Sequence, residues 1–337
     1  MSIPRIYLDR KHWLHLRDVD MGRPREKIQS EIYDKLAQLR IENKAVCPIS
    51  YSVFSELLRQ NDAATRTATA KVIDVFGASC CIQPRHEVFK REVMHFIRRT
   101  NSPTTDLYSV AEMVWTKAAF VLGDCFLNFH EQSDVGLAIE KSMDDVPWSM
   151  SLEEMISRLP CEDPRDDDPK GFAESLTRGM MSNNHTFNTF EEVFLQEVGG
   201  GLEPCYEELD KMMVYFYRQA GFDQEVQNGQ VFEGGKRLAN LIYNAFKYRR
   251  VSIELASVHI TSGLHAAIRF DKNRKYKQGD CEDFRHASLA LPYFDVFCTD
   301  APLKNLLCHK PLKYDEAYST QVVATDQEIL EALSVIS

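Results

Sequence analysis

Four acidic side chains stand where the predicted strands and helices begin or end. Asp9 follows a short apolar run near the N-terminus, and Asp300 follows the last predicted strand. Glu56 lies in the first turns of one predicted helix, and Asp283 lies near the start of another. Ligands of open parallel sheets bind beyond the carboxyl ends of the strands. Acids at strand ends and at helix starts can therefore converge on one patch.

A cluster of four carboxylates would have a defined chemistry. Neighbouring carboxylates repel one another, and each resists ionisation unless a cation lies among them. Oxygen-rich clusters suit Mg²⁺ or Mn²⁺, which can activate water and clamp the oxygens of a phosphodiester. The pattern therefore offers a metal site as one hypothesis. A simpler interpretation stays open, because a lone Asp at a strand end is usually a turn or helix-capping residue.

The elements that would position these acids alternate in the first hundred residues. Apolar runs and helical spacing predict strands at 6–8, 45–49 and 80–83, and helices at 26–42, 53–60, 65–76 and 86–99. Pro48 limits the second strand to a strand end or an edge, and Ser52 is the predicted N-cap of the second helix. This alternation indicates a parallel sheet covered by helices.

The alternation stops between about residue 101 and residue 250. Helical spacing there predicts helices at 106–122, 191–198, 206–217 and 236–248. The acidic, proline-flanked stretch 162–169 is predicted to be an exposed loop. Beyond it, a helix ending near Phe270, a helix over 283–289 and a strand over 296–299 are predicted. Since 337 residues exceed the usual size of a single core, we expect two domains, or one domain that carries a large insertion.

The charge of the chain follows the same division. The formal net charge is −10, which argues against a nucleic-acid partner when taken as a total. Residues 1–100, however, hold 18 basic and 12 acidic side chains, whereas residues 101–200 hold 6 basic and 19 acidic ones. The acidic surplus is therefore concentrated in the predicted insertion, and the distribution of charge does not exclude nucleic acid.

Several stretches of the sequence resemble the family of PIN-like nucleases. Residues 283–287 read Asp-Phe-Arg-His-Ala, and residues 291–300 read Leu-Pro-Tyr-Phe-Asp-Val-Phe-Cys-Thr-Asp. An Asp that opens a helix of small residues, followed by a strand ending in Thr-Asp, is similar to the C-terminal signature of that family. Residues 5–9 resemble its first strand and first acid, and residues 48–58, with Glu56, resemble its second strand and second acid.

This resemblance covers about half of the chain. It implies a PIN-like, Rossmann-type parallel sheet flanked by helices, built from residues 1–100 and 251–337, with an all-α insertion over 101–250. It also implies a metal-dependent endoribonuclease that hydrolyses RNA at a Mg²⁺ or Mn²⁺ site. The implied catalytic residues and metal ligands are Asp9, Glu56, Asp283 and Asp300, with Asp280 as an auxiliary ligand. Ala301 and Pro302 follow where many relatives carry further acids, which leaves open whether one or two metals bind.

A basic segment lies just before the implied ligands Asp280 and Asp283. Its cations, opposed by Asp271 alone, are Arg269, Lys272, Arg274, Lys275 and Lys277. Beside an acidic metal site, such a segment is expected to bind the phosphates that flank the scissile bond. Tyr276 would then stack on a base. A solvated linker that happens to be basic is an equal alternative.

Other functions stay open on the same fold. The chain could be a non-catalytic module that binds RNA or protein, or a DNA nuclease or phosphatase. The insertion over 101–250 has no assignable motif, and four roles stay open for it: masking the site, selecting a substrate, forming a homo-oligomer interface or binding a regulatory protein. No apolar stretch reaches the roughly 20 residues of a membrane span, residues 1–25 lack an apolar signal region, and nine cysteines lack zinc or C-x-x-C spacing. We therefore expect a cytoplasmic protein without a membrane partner.

Overall fold

The computed structural model describes residues 3–101, 108–123, 133–159, 169–183, 187–222, 234–251 and 253–336. Its strands are β1 (Ile6–Leu8), β2 (Cys80–Ile82), β3 (Trp115–Lys117), β4 (Val296–Cys298) and β5 (Gln321–Val323). The helices before residue 160 are α1 (Arg10–Asp20), α2 (Lys27–Ile41), α3 (Tyr51–Leu58), α4 (Ala63–Gly77), α5 (Arg85–Asn101), α6 (Val110–Met113), α7 (Asp134–Ser149) and α8 (Leu152–Arg158). The later helices are α9 (Pro169–Asn183), α10 (Phe190–Leu202), α11 (Tyr206–Gln219), α12 (Gly234–Lys247), α13 (Ala256–Phe270), α14 (Asp280–Tyr293), α15 (Ala301–Cys308), α16 (Tyr314–Tyr318) and α17 (Asp326–Val335).

A small parallel sheet lies among the helices. Its three strands run in the order β1-β4-β5. On the other side of β1, the N–H of Ile6 donates to the carbonyl of Val46 over 2.9 Å, and further along the N–H of Ile82 donates to the carbonyl of Ile49 over 2.9 Å. Residues 46–49 thus connect β1 to β2, which pairs antiparallel with β3. The prediction of a parallel sheet among helices is confirmed at this coarse level.

The segment 45–49 forms single bridges where a strand was predicted. Arg5 bridges Val46, and Ile49 bridges Cys81, both in the parallel sense. Pro48 lies between the two bridges and has no N–H to donate. A regular ladder cannot continue through that position, so the chain contacts β1 before Pro48 and β2 after it.

The strand order creates a crevice beside β1. From β1 the chain continues to residues 46–49 on one side, and from the adjacent strand β4 it continues to β5 on the other. Where the connections that leave two neighbouring parallel strands run to opposite sides, an open space remains between them at the carboxyl ends of the strands. Asp9 directly follows β1, and Asp300 follows β4 after one intervening residue. The topology therefore places both acids at the crevice.

The predicted helix over 106–122 is wrong for the residues that the structure describes there. Helix α6 is short, and it begins with a capping box in which the side chain of Glu112 accepts from the backbone N–H of Ser109. Strand β3 and a 3₁₀ turn over Ala118–Leu122 follow it. The apolar residues Val114, Ala118 and Val121 are buried nonetheless, because pairing with β2 and one turn of helix present them to the core. Ser50, rather than the predicted Ser52, caps α3 by accepting from the N–H of Val53.

The predicted insertion over 101–250 is not all-helical, since it contains β3. It also contributes to two hydrophobic cores. Residues of α8, Leu152 and Ile156 among them, join the core that surrounds the sheet. The second core combines α10, α11 and α12 with Phe89 and Val93 of α5. The predicted loop over 162–169 lies almost wholly outside the described residues.

None of the helices in the described part of the chain is long and apolar enough to cross a membrane.

Candidate metal centre

The four predicted acids line one cleft. Asp9, Glu56, Asp283 and Asp300 all border a cavity of about 450 Å³. They come from four places in the chain: the ends of β1 and β4, helix α3 and the first turn of α14. The four acids therefore meet in one cleft, although Glu56 lies near the end of α3 rather than in its first turns as expected.

Asp9 and Asp300 are also helix caps. Asp9 accepts from the backbone N–H of His12 with Oδ1 over 3.3 Å, and Asp300 accepts from that of Leu303 with Oδ1 over 2.8 Å. The capping interpretation and the metal-ligand interpretation are therefore compatible. Each cap uses one carboxylate oxygen, which leaves the other oxygen for a cation. The hydrogen bond from the backbone N–H fixes the orientation of each side chain.

Glu56 and Asp283 show the electrostatic strain of the cleft. Oε2 of Glu56 is buried and has no hydrogen-bond partner, although buried polar atoms are nearly always paired. Burial and, after it, the neighbouring charge of Asp300 raise the pKa of Asp283 to about 7. Both observations describe carboxylates that lack full compensation, and a divalent cation among them would supply it.

His286 links Glu56 to the sheet. Its Nδ1 lies 2.6 Å from the hydroxyl of Tyr7, which also lies 2.7 Å from Oγ of Ser50. Its Nε2 lies 3.6 Å from Oε2 of Glu56. Burial lowers the pKa of His286, but the nearby carboxylate of Glu56 and the charges of Glu282 and Asp9 together raise it above its usual value. His286 is thus a packed, hydrogen-bonded residue of α14, and it orients Glu56.

The donor set fits a hard divalent cation. All four side chains offer carboxylate oxygens, the ligands that Mg²⁺ and Mn²⁺ prefer. The buried Oε2 of Glu56 is the observation that tests this fit, because Nε2 of His286 comes no closer than 3.6 Å and leaves the oxygen without a hydrogen bond. Asp9, Glu56, Asp283 and Asp300 are therefore the residues that could hold the metal.

Asp280, the predicted auxiliary ligand, is engaged elsewhere. It is buried, it accepts from the backbone N–H of Lys277 over 2.8 Å, and it lies 3.7 Å from the guanidinium of Arg274. It is not among the described residues that line the cleft. Its carboxylate instead holds the loop before α14, and its charge contributes to raising the pKa of Asp283.

The basic segment does not line the cleft in the described part of the chain either. Arg269 is ion-paired with Glu197 of α10 and donates a hydrogen bond to Gln196 of the same helix. It therefore connects α13 to α10. Tyr276 is buried and lies 2.9 Å from Nδ1 of His265, so stacking on a base is wrong for this side chain. The cations that remain exposed are Lys272, Lys275 and Lys277, and their binding of RNA stays a prediction.

Three other cations border the cleft and were missed at the level of sequence. Arg10 and Lys11 begin α1 directly after Asp9, and Arg25 stands in the loop before α2. All three are exposed, and Arg25 also lies 3.7 Å from Asp18. The pair Arg10-Lys11 next to the first acid was the available signal. These side chains place positive charge at the rim of an acidic site, where a phosphate would approach.

Comparison with protein families, with curated proteins and with solved structures gives no significant match to this chain. The cleft therefore has to be interpreted from its own chemistry.

Replacing Asp283 with Asn is expected to stabilise the metal-free protein at pH 8 by about 1–2 kcal/mol. The pKa of Asp283 is near 7 in the folded state and about 3.9 in an unfolded chain. The wild-type protein therefore loses stability as the pH rises from about 4 to 7, and above pH 7 it carries the whole cost. The gain is smaller than the full shift implies, because the carboxyl stays partly exposed.

Thermal unfolding in EDTA at pH 5 and pH 8 measures this effect. The melting temperature of Asp283→Asn should exceed that of the wild type at pH 8, and the difference should shrink at pH 5. Some pH dependence remains in the variant, because burial also raises the pKa of Glu92 to about 7. A variant that melts below the wild type at pH 8 would show that the acids do not repel.

Proposed function

We propose that this protein is a Mg²⁺- or Mn²⁺-dependent endoribonuclease with a PIN-like fold. The observation that carries the proposal is the convergence of Asp9, Glu56, Asp283 and Asp300 on one cleft at the end of a parallel sheet. These acids are the ones that the resemblance to PIN-like nucleases assigns as ligands. The small parallel sheet among helices is compatible with the α/β class to which that fold belongs.

The proposed roles follow from the contacts of each acid. Asp9 and Asp300 are oriented by the caps that they make, and Glu56 is oriented by His286. Asp283 completes the set from the first turn of α14. When bound, Mg²⁺ or Mn²⁺ lowers the pKa of a coordinated water and stabilises charge on phosphate oxygens. The acids hold the cation and do not attack the phosphate themselves.

The rim of the cleft supplies the groups that would bind the substrate. Arg10, Lys11 and Arg25 border the acids and are exposed, so they can reach phosphates on both sides of a bond held at the metal. Such contacts position the chain without reading its sequence. We therefore assign the positioning of the RNA strand to α1 and the loop after it. The exposed lysines of the segment 269–277 have a secondary role in binding RNA.

The test is cleavage by the purified wild-type protein. Single-stranded RNA, single-stranded DNA and a small phosphomonoester are each incubated with Mn²⁺, with Mg²⁺ or with EDTA, and products are followed on denaturing gels or by absorbance. We expect internal cleavage of RNA that requires Mn²⁺ or Mg²⁺ and stops in EDTA. The preference for RNA over DNA rests on the resemblance, and the parallel substrates test it directly.

The other outcomes separate the alternative functions. Metal-dependent cleavage of DNA alone, or hydrolysis of the phosphomonoester alone, would make the protein a DNA nuclease or a phosphatase. A rise in melting temperature with Mn²⁺ but no hydrolysis of any substrate would indicate a non-catalytic binding module. The absence of both effects would contradict a metal centre in this cleft.

A further inference from the structure

A second group of metal-ligating side chains lies next to the acid cleft. His12 and His15 stand three residues apart on α1, so both project from one face of that helix, and Asp326 is the first residue of α17. One ligand atom of each of the three residues lies within 4.8 Å of the others. Two ends of the chain, the first helix and the last, thus meet through these side chains.

The imidazole of His12 is the least satisfied member of this group. The residue is 4% exposed, and its Nε2 has no hydrogen-bond partner. The closest carboxylate, that of Asp9, lies 3.6 Å from Nε2, which is beyond hydrogen-bonding distance. Burying a ring nitrogen without a partner costs free energy. If the ring bound an ion and Nε2 moved within hydrogen-bonding distance of Asp9, that cost would be removed.

A small cavity lies between these ligands. It has a volume of about 10 Å³, close to the minimum for one water or one ion, and His12, His15, Asp326 and Gln29 supply its polar lining. Its remaining walls are apolar side chains, namely Leu8, Leu16, Ile32, Leu36 and Ile329. The cavity holds one water or ion at most, and polar groups line one part of its otherwise apolar wall. These features suit an ion site better than a substrate pocket.

The surroundings hold both rings in place. The amide Nε2 of Gln29 lies 3.3 Å from Nδ1 of His15, and Oε1 of the same amide accepts from the backbone N–H of Arg25 over 3.2 Å. His12 has Asp9 beside it. Histidines that bind metals typically contact a carboxylate, a carbonyl or another polar group through the second nitrogen. Asp9 is such a neighbour for Nε2 of His12, whereas the amide of Gln29 donates to His15 and fixes its ring.

We propose that His12, His15 and Asp326 form a zinc site that fastens α17 to α1. Two imidazoles and one carboxylate, with a fourth position open to water, are a donor set of zinc. The acid cleft offers oxygen alone and suits Mg²⁺ or Mn²⁺. The three ligands have to approach one another by about 1 Å to reach the roughly 2 Å bonds of Zn²⁺. This proposal is independent of the nuclease function.

The experiment measures Zn²⁺ and Co²⁺ binding to the full chain after treatment with a chelator. One equivalent of Zn²⁺ should raise the melting temperature of the wild type, and Co²⁺ should give the visible absorption of a four-coordinate site. Asp326→Asn should weaken Zn²⁺ binding by about 100-fold, since even residues behind the ligands contribute 10- to 100-fold. His15→Gln should act in the same way.

Two control variants separate this site from its surroundings. Glu331→Gln removes the same charge from the exposed side of α17 and should leave Zn²⁺ binding unchanged. Asp300→Asn removes a ligand of the acid cleft and should also leave it unchanged, whether or not the cleft cleaves RNA. The melting temperature in EDTA shows that each variant folds.

The proposal is overturned if the wild type shows neither the Zn²⁺ shift nor the Co²⁺ absorption. It is equally overturned if Asp326→Asn and His15→Gln bind Zn²⁺ as the wild type does. Loss of Zn²⁺ binding in Asp300→Asn, with retention in Asp326→Asn, would assign the ion to the acid cleft.

Discussion

Asp300→Asn is expected to lower Mn²⁺-dependent cleavage of RNA by about 1000-fold, the scale seen when one charge-stabilising group is removed from an active site. Asp300 borders the cleft with the other three acids, and its charge is among those that raise the pKa of Asp283. Asn keeps an oxygen that can accept from the N–H of Leu303, so the cap of α15 survives. The change therefore removes a negative charge from the cleft and little else.

Asp62→Asn is the matched control for this variant. Asp62 also caps a helix, since its Oδ2 accepts from the N–H of Thr65 over 2.7 Å, but it is exposed and does not border the cleft. It should retain wild-type cleavage. Single-turnover rates at saturating Mn²⁺, with melting temperatures in EDTA, compare the two variants. Wild-type activity in Asp300→Asn would remove this carboxylate from the metal centre and with it the main support for a nuclease.

The positions of Asp9 and Asp300 were predictable because each closely follows a strand, whereas Glu56 and Asp283 lie inside helices. A short apolar run followed by Asp9, and a strand ending in Thr299 and Asp300, are visible in a few residues of sequence. Parallel strands then bring their carboxyl ends to one edge. No knowledge of long-range packing is needed for that step, which is why the cleft could be located before the packing of the helices was known.

The other properties of the site depend on partners that are distant in the sequence. The exposed-looking cation Arg269 is bound by Glu197, and Tyr276 is bound by His265 after the chain has folded around it. Helix α1 has only three buried residues in eleven, His12, Trp13 and Leu16, so its apolar period is weak. The contact of His15 with Asp326 joins the two ends of the chain. Local spacing carries no information on such pairs.

Gly235→Ala is expected to destabilise the protein by about 3 kcal/mol, the upper range for inserting a methyl group into a packed contact. Helices α11 and α12 touch at this glycine. A Cβ there would overlap the carbonyl oxygen of Tyr206 and lie 2.9 Å from the backbone nitrogen of Asp210. Backbone atoms cannot rotate away as a side chain would. The helices would have to separate, which weakens the bond from the N–H of Gly235 to Oδ1 of Asp210, now 2.6 Å.

Gly200→Ala gives the opposite sign and serves as the control. Gly200 is exposed within α10, and a Cβ there meets no atom within 4 Å. Alanine should therefore stabilise that helix by up to about 1 kcal/mol.

Helix α5 supplies Val88 to the core around the sheet and Phe89 and Val93 to the second core, so both cores should unfold together. Chemical denaturation of Gly235→Ala should show one transition at lower denaturant. Two separate transitions would mean that the acid cleft is held by the first core alone, and cleavage should then survive the substitution.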